Sequence, residues 1–251
     1  YQDDAGDPDK AVAEAKDLIG KDYKILAGTV VSGVALKLAQ QAEQNKVLYI
    51  SGPAATDALQ GANKYTFRSG LQSLQDVATA GTFVDNLQGK KIVVFAQNNA
   101  FGQGNVAAVK AVLGAKGATV QQVLVPEDAT EFTPFARQII DAKPAMTFVA
   151  WAGATSGAMW QSLTQQGVFD AAPVVTGLGD ASTFSAYGAA SGKISFLSHY
   201  FPGAGGNNAV EQEMVKDVQA AGAKPDLFTP DGFVAGQMIV QAVKSGANVD
   251  D

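Results

Sequence analysis

The sequence contains no cysteine and only one histidine, His199, among its 251 residues. The lack of cysteine excludes a disulfide scaffold, a cysteine metal site and a thiol nucleophile. One histidine cannot form a metal site by itself, and we interpret His199 as a hydrogen-bonded polar residue between two lobes. We therefore expect no metal site and no thiol chemistry in this sequence.

Positive charge and long apolar runs are also scarce. The 18 basic residues are outnumbered by 24 acidic ones, which gives a formal net charge of −6, whereas a nucleic-acid-binding protein usually carries a basic patch. No apolar run approaches the roughly 18 residues that a membrane-spanning helix needs. We expect neither a nucleic-acid partner nor a membrane span in this sequence.

Short apolar runs alternate with amphipathic stretches along the whole sequence. The runs 25–30 and 92–96 are almost continuously apolar, which is typical of parallel strands buried on both faces. Elsewhere apolar residues recur at helical spacing, as in 8–20, where Asp7 is a suitable N-cap and Pro8 a suitable first residue. The alternation predicts an α/β fold with doubly wound parallel sheets.

The same alternation begins again after 87–89, so the sequence predicts two α/β lobes rather than one wide sheet. We expect a helix over 71–87 before this break and a helix over 104–115 in the next strand–helix unit. One large domain or two small ones fit the length, at ~100–200 residues per domain.

In open α/β sheets, ligands bind outside the carboxyl ends of the strands. Five segments lie at such ends: 29–33, 51–56, 97–102, 151–156 and 176–180. They contain hydroxyl and small residues, two aromatic residues and one acidic residue, but no histidine, lysine or pair of carboxylates. Because acid–base and nucleophilic catalysis need a base close to the target, we predict a site that binds a small molecule without transforming it.

Before the break at 87–89, four residues are candidate ligand contacts. Val31 and Ser32 lie where a strand gives way to a helix, so a small anion could meet the Ser32 hydroxyl and free backbone N–H groups. The alternative is that Ser32 only caps the helix. Ala54 and Thr56 lie in a turn flanked by glycine and proline, which is either a ligand-binding turn or an ordinary surface turn.

After the break at 87–89, the candidates are Phe101, Trp151, Gly153 and Asp180. Trp151 is either a core aromatic residue or a platform for a ligand, since it stands at the end of a strand. Asp180 lies in a glycine-rich turn, where it could pair with a ligand cation or support an Asx turn. Both alternatives remain open at this point.

A Gly-x-Gly-x-x-Ala pattern begins at Gly102 and includes Gly104. With Glu127 as a ribose ligand, it would be the dinucleotide fingerprint of an NAD-dependent oxidoreductase. The glycines, however, follow the preceding strand by a five-residue loop instead of standing directly at its end. A single match in a glycine-rich chain is a nonspecific signal, so this function is an alternative only.

Three motifs together resemble one family: the run Tyr-Gln-Asp-Asp-Ala-Gly-Asp-Pro-Asp-Lys-Ala at 1–11, Ser-Gly-Pro-Ala-Ala-Thr at 51–56 and Ala-Phe-Gly-Gln-Gly at 100–104. In order and spacing they resemble the leucine/isoleucine/valine-type solute-binding proteins of ABC transporters, which have the type I periplasmic-binding fold. The resemblance extends over nearly the entire chain.

The resemblance implies two Rossmann-like lobes that are joined by a hinge and close on a ligand. The first lobe would comprise 1–87 and 202–251, and the second 88–201. It further implies a monomeric, non-enzymatic transport receptor without a cofactor, which captures a small carboxylate such as an amino acid and delivers it to a membrane permease. Such a protein carries a signal peptide and is either periplasmic or lipid-anchored at the cell surface. A ligand-sensing domain of a regulator with the same fold is the alternative.

The resemblance also assigns roles to individual residues. Ser32 matches the serine that binds the ligand carboxylate, and Ala54 and Thr56 match turn residues that hold the carboxylate and the ammonium. Phe101 stands where a tyrosine is common, so a phenolic hydrogen bond is lost there.

The acidic partner of the α-ammonium aligns near Leu178, which cannot replace it, and Asp180 is the nearest substitute. These departures leave open a ligand that has a carboxylate but no amine, such as an aromatic or aliphatic acid.

In this family a strand, a helix and most of a second strand precede the position of Tyr1, and further structure follows Asp251. The missing first strand is central in the sheet of the first lobe, so its absence would leave backbone groups unpaired. We therefore expect the chain to be part of a longer secreted protein whose first lobe is incomplete here.

Overall fold

A computed structural model describes residues 1–177, 179–181, 183–206 and 208–245. Helices and parallel strands alternate along these residues, which confirms the predicted α/β class. The strands are β1 (Ile25–Gly28), β2 (Leu48–Ser51), β3 (Thr66–Arg68), β4 (Lys91–Gln97), β5 (Thr119–Val125), β6 (Met146–Ala150), β7 (Val174–Thr176) and β8 (Ile194–Phe196). The helices are α1 (Pro8–Gly20), α2 (Ser32–Asn45), α3 (Ser73–Ala80), α4 (Ala100–Val112), α5 (Thr133–Ala142), α6 (Ser156–Gln165), α7 (Val168–Ala171), α8 (Phe184–Tyr187), α9 (Ala209–Ala220) and α10 (Thr229–Lys244).

The chain divides into two compact units. The first comprises Tyr1–Gln72 and the described part of Tyr200–Asp251, and the second comprises Ser73–His199. Residues 73–87, which the sequence places in the first lobe, belong to the second unit. That the units act as closing lobes stays a prediction.

The first unit is built on a parallel sheet with the order β1-β2-β3. Asp7 caps α1 as predicted, because its carboxylate accepts hydrogen bonds from the backbone N–H groups of Asp9 and Lys10. The register aligns Gly28, Ser51 and Arg68 as the last residues of the three strands. The loops that follow these residues therefore start from the same edge of the sheet.

In the described part of the first unit, β1 is an edge strand. A cavity of about 400 Å³ adjoins it, lined by 25–29 and by Tyr1, Gln2 and Tyr23 among others. The expectation that a further strand completes this sheet stays a prediction.

The second unit is built on a parallel sheet with the order β5-β4-β6-β7-β8. Strands β4 and β6 are neighbours, while the connections from β4 to β5 and from β5 to β6 run in opposite directions across the sheet. The ends of β4 and β6 therefore flank a topological switch point, where open α/β sheets bind ligands.

Two of the predicted helices have different limits in the structure. The helix expected over 71–87 ends at Ala80 and is followed by a single 3₁₀ turn, Gly81–Phe83. Gly81 is a poor helix former. In addition, the Thr82 hydroxyl donates a hydrogen bond to the Thr79 carbonyl oxygen, and this bond competes with the backbone hydrogen bonds of a helix.

The helix expected over 104–115 begins earlier, at Ala100. Its start is fixed by Asn99, whose side-chain oxygen accepts a hydrogen bond from the backbone N–H of Gly102 at 2.9 Å. Because asparagine is a strong N-cap, the helix includes both Gly102 and Gly104.

Candidate functional site

Ser32 is the first residue of α2 and is buried, with 1% of its surface exposed. The N-cap is Val31, whose backbone is extended and whose side chain is exposed, and no side chain caps the helix. Within the described residues, the Ser32 hydroxyl has no hydrogen-bond partner. The alternative in which Ser32 only caps α2 is therefore wrong, and a buried hydroxyl stands in the first turn of a 14-residue helix, whose N-terminus attracts anions.

The turn that contains Ala54 and Thr56 is buried rather than an ordinary surface turn. Ala54 is fully buried, and Thr56 is 3% exposed. The Thr56 hydroxyl accepts a long hydrogen bond, 3.4 Å, from the backbone N–H of Ala58 and so caps the 3₁₀ turn Asp57–Leu59. The turn thus has a defined conformation at the edge where β2 ends.

Arg68, a residue that the sequence analysis missed, holds this turn. It is the last residue of β3, and its guanidinium donates hydrogen bonds to the carbonyl oxygens of Ala54, at 3.0 Å, and of Thr56 and Leu71. Burial lowers the pKa of Arg68, whereas Asp57 and other neighbours raise it; an arginine nevertheless stays protonated in proteins. Its position at a strand end was the only signal available in the sequence.

A second buried side chain fixes the loop that leads to Ser32. Tyr49, in the centre of β2, is fully buried, and its hydroxyl lies 2.6 Å from Oγ1 of Thr29. Thr29 has a φ of 102°, which is unfavourable for a residue with a Cβ atom. Burial raises the pKa of the Tyr49 phenol, so the hydroxyl is neutral near pH 7 and can act as donor or acceptor.

Glycine is required where the loops of the first unit approach one another. A Cβ atom on Gly52 would lie 3.0 Å from the Thr29 carbonyl oxygen. A Cβ atom on Gly70 would lie 2.7 Å from the Gly52 carbonyl oxygen and 2.9 Å from the buried Asp231 carboxylate. The loops after β1, β2 and β3 are therefore packed against each other, and the predicted residues Ser32, Ala54 and Thr56 lie at one edge of one sheet.

At the switch point of the second unit, the Gln97 side chain links two strand ends. Its Oε1 atom accepts a hydrogen bond of 3.1 Å from the backbone N–H of Ala152. Since that partner is a donor, the amide is oriented with its NH₂ group away from Ala152. Gln97 is thus a polar residue with a fixed orientation, although the sequence analysis gave it no role of its own.

The candidate Trp151 is buried in the core of the second unit. Its ring stacks on Phe95, with 5.2 Å between centroids, and meets the edge of Phe132 at 5.4 Å. Its indole N–H donates a hydrogen bond to the Thr155 hydroxyl at 3.1 Å. With 4% of its surface exposed, Trp151 is a core residue, and this packing argues against a ligand platform.

Three further candidates, Phe101, Gly153 and Asp180, belong to the second unit. Phe101 is half-buried on α4 against the core, and Gly153 is exposed with a φ of 89°. The Asp180 carboxylate accepts a hydrogen bond at 2.9 Å from the backbone N–H of Thr183, three residues further on, and so supports the local turn. Leu178 lies outside the described residues. His199, the last residue of this unit, is exposed.

The residues of the possible dinucleotide fingerprint have structural roles. A Cβ atom on Gly102 would lie 1.8 Å from the Gln97 carbonyl oxygen, so this glycine permits α4 to pack on β4. Glu127 accepts a hydrogen bond from the side-chain amide of Asn99, the helix cap, at 2.6 Å. The fingerprint needs its first glycine in the turn directly after the strand, whereas Gly102 is the third residue of α4. The NAD interpretation therefore loses its structural basis.

Neither a metal site nor a membrane-spanning helix is present in the described ranges. No group of three or more histidine, cysteine, aspartate or glutamate residues there is arranged to hold a metal ion. Likewise, none of the helices in those ranges combines the length and the apolar character needed to cross a membrane.

Comparison with known proteins connects this geometry to one family. The family described as "Periplasmic binding protein" matches residues 1–251. The Leu/Ile/Val-binding protein homolog 3 of Brucella melitensis is 24% identical over 256 residues, which is 100% of this chain and 68% of the relative.

Two crystal structures from Rhodopseudomonas palustris are similar in sequence as well as in fold. One is an ABC-type branched-chain amino acid transporter protein, 30% identical, with a TM-score of 0.71 over 99% of this chain and 69% of that one. The other is an ABC transporter solute-binding protein in complex with benzoate, 26% identical, with a TM-score of 0.80 over 99% of this chain and 70% of that one. The chain thus spans about two thirds of the length of these proteins.

Proposed function

Because the chain belongs to the periplasmic binding protein family, we propose that it binds a small carboxylate outside the cytoplasm and delivers it to the permease of an ABC transporter. The contacts proposed in the first unit are Val31, Ser32, Ala54 and Thr56. Phe101, Gly153 and Asp180 are proposed contacts of the second unit. This function is transport rather than catalysis, in keeping with relatives that are named as binding and transport proteins.

The buried hydroxyl of Ser32 is the observation that carries this proposal. A buried polar group without a partner costs about 1–3 kcal/mol, and the Ser32 hydroxyl has none in the described residues. It stands in the first turn of α2, where backbone N–H groups and the helix dipole favour a negative charge. A ligand carboxylate would satisfy the hydroxyl and the helix end together.

The ligand is proposed as a carboxylate and not yet as one compound. One relative is named for branched-chain amino acids and another was crystallised with benzoate; a carboxylate is the group that these ligands share. Asp180 already accepts a backbone hydrogen bond. An ion pair between Asp180 and the α-ammonium of an amino acid therefore has less support than the contact with the ligand carboxylate.

A thermal-shift panel tests the proposal with leucine, benzoate, benzamide and glucose as probes. A carboxylate at 100 times its Kd stabilises the folded state by about 2.7 kcal/mol, so we expect leucine or benzoate to raise the melting temperature. Benzamide is the matched control for benzoate, because it keeps the ring and removes the charge. Stabilisation by benzamide or glucose, with no effect of either carboxylate, would show that the proposed ligand class is wrong.

A further inference from the structure

We propose that Arg68 is the positioning residue of this site: it holds the turn Ala54–Thr56 in its binding conformation before a ligand arrives, and its charge favours a carboxylate over a neutral ligand. Only the preference for a carboxylate rests on the proposed function, because the conformation of the turn can be measured without a ligand.

The hydrogen bonds of Arg68 all go to backbone carbonyl oxygens. Two of the three acceptors, Ala54 and Thr56, lie on either side of Ala55 in the turn, and the third, Leu71, lies in the loop after β3. A planar guanidinium presents several N–H groups at fixed angles to one another, whereas the ammonium of lysine is a compact single point of contact. The Arg68 side chain therefore connects two loops to the end of one strand.

These contacts determine the direction in which the turn presents its amide groups. No peptide bond in the described residues is cis, and in a trans peptide the C=O and N–H bonds point in opposite directions. Since the carbonyls of Ala54 and Thr56 point toward Arg68, the N–H groups of Ala55 and Asp57 point to the other side. Fixing this direction in advance lowers the ordering cost of binding.

The charge of Arg68 is held close to the turn. The acceptors of these hydrogen bonds are neutral carbonyl oxygens, and the Nε atom of Arg68 has no partner in the part of the chain that the structure describes. Burial lowers the pKa of Arg68, whereas the nearby Asp57 and Asp231 raise it, so the positive charge is favoured by nearby acidic side chains but is not neutralised by a direct pair among those hydrogen bonds. A half-buried charge is screened by salt less than an exposed one.

The first experiment measures amide hydrogen exchange in the ligand-free protein. Arg68→Met removes the charge and the hydrogen bonds, Arg68→Lys keeps the charge alone, and Arg137→Met makes the same chemical change at an exposed site of α5. For both Arg68 variants we expect about tenfold faster exchange at residues 54–57, the change that corresponds to losing a hydrogen bond to a charged group. Arg137→Met should leave these amides unchanged.

The second experiment measures the affinity of the same proteins for benzoate and leucine at low and high salt. We expect Arg68→Met to weaken binding about tenfold, Arg68→Lys to recover part of the loss, and the salt dependence to be smaller in Arg68→Met than in the parent protein. Recovery by lysine distinguishes a contribution of charge from a purely structural role, which lysine could not restore.

The results of these two experiments test the role of Arg68 separately from the proposed carboxylate binding. Unchanged exchange at 54–57 in both Arg68 variants overturns the inference, whatever the ligand is. Faster exchange with carboxylate affinity equal to that of the parent protein overturns the part about binding. If the parent protein binds no carboxylate, the proposed function fails, whereas the exchange data still decide whether Arg68 holds the turn. Should Arg68→Met not fold, Arg68→Lys gives the same decision on the conformation.

Discussion

The hydroxyl of Tyr49 lies 2.6 Å from Oγ1 of Thr29, a residue with a φ of 102°. This hydrogen bond joins the centre of β2 to the loop that leads from β1 to Ser32. Because the backbone angle of Thr29 is energetically unfavourable, the loop needs a contact of this kind to keep its conformation. Tyr49 and Arg68 thus secure the two loops on which the proposed ligand site depends.

Replacing Tyr49 with phenylalanine should change how stability depends on alkaline pH. Burial raises the pKa of the Tyr49 phenol, so the folded state retains a proton that the unfolded state loses near pH 10. The contribution of this protonated phenol to the free energy of unfolding is present below the pKa of the unfolded state and is lost as the pH rises above that value. Urea unfolding at pH 8, 10 and 11 should show a shallower decline for Tyr49→Phe than for the parent protein. Tyr23→Phe, at an exposed position, is the control; a decline as steep in Tyr49→Phe as in this control would contradict the prediction.

Ser32→Ala should weaken carboxylate binding without destabilising the ligand-free protein. The hydroxyl has no hydrogen-bond partner in the described residues, so its removal breaks no bond within them, while a hydrogen bond to a charged ligand contributes about 1.5–3 kcal/mol, roughly a tenfold or greater loss of affinity. Calorimetric titration with benzoate or leucine and a thermal melt measure the two effects.

Thr147→Val is the matched control for Ser32→Ala. Thr147 is also buried with an unpartnered hydroxyl among the described residues, but it lies inside β6 of the second unit. Equal effects of the two substitutions on affinity would show that Ser32 does not contact the ligand.

Gly102→Ala should destabilise the second unit. The new Cβ atom would lie 1.8 Å from the Gln97 carbonyl oxygen, which α4 can avoid only by moving away from β4, and overpacking of this kind costs about 1–3 kcal/mol. Gly157→Ala, in the first turn of α6, meets only an ordinary contact at 3.9 Å and is the control. Chemical denaturation of the two variants compares their free energies of unfolding, and an equal effect would refute the close approach of α4 to β4.

Trp151→Phe should lower stability and leave ligand affinity unchanged. The substitution removes part of a ring that packs between Phe95 and Phe132, and it removes the hydrogen bond to Thr155; a loss of about 1–3 kcal/mol is expected. The free energy of unfolding and the Kd for benzoate are the measurements. If the affinity falls while stability is retained, Trp151 is a ligand platform after all.

Much of the fold was predictable from the sequence. The α/β class, the start of α1 at Pro8 and the strand–helix junction at Ser32 follow from local patterns, because caps and apolar periodicity act between residues a few positions apart. The sequence predicts that the helix after β4 begins at Gly104, four residues later than it does in the structure. Asn99 nevertheless starts the helix at Ala100, and Gly102 is required there by the neighbouring strand.

The sequence by itself determined the fold class, the family resemblance and the segments in which ligand contacts are to be sought. Only the tertiary structure decided which residues in those segments are buried, paired or left without a partner. Arg68 meets the carbonyls of Ala54 and Thr56 across 14 and 12 positions of the sequence, and Trp151 meets Phe95 across a core. Such contacts depend on the packing of strands and loops that are distant in the chain, and no local pattern of residues encodes them.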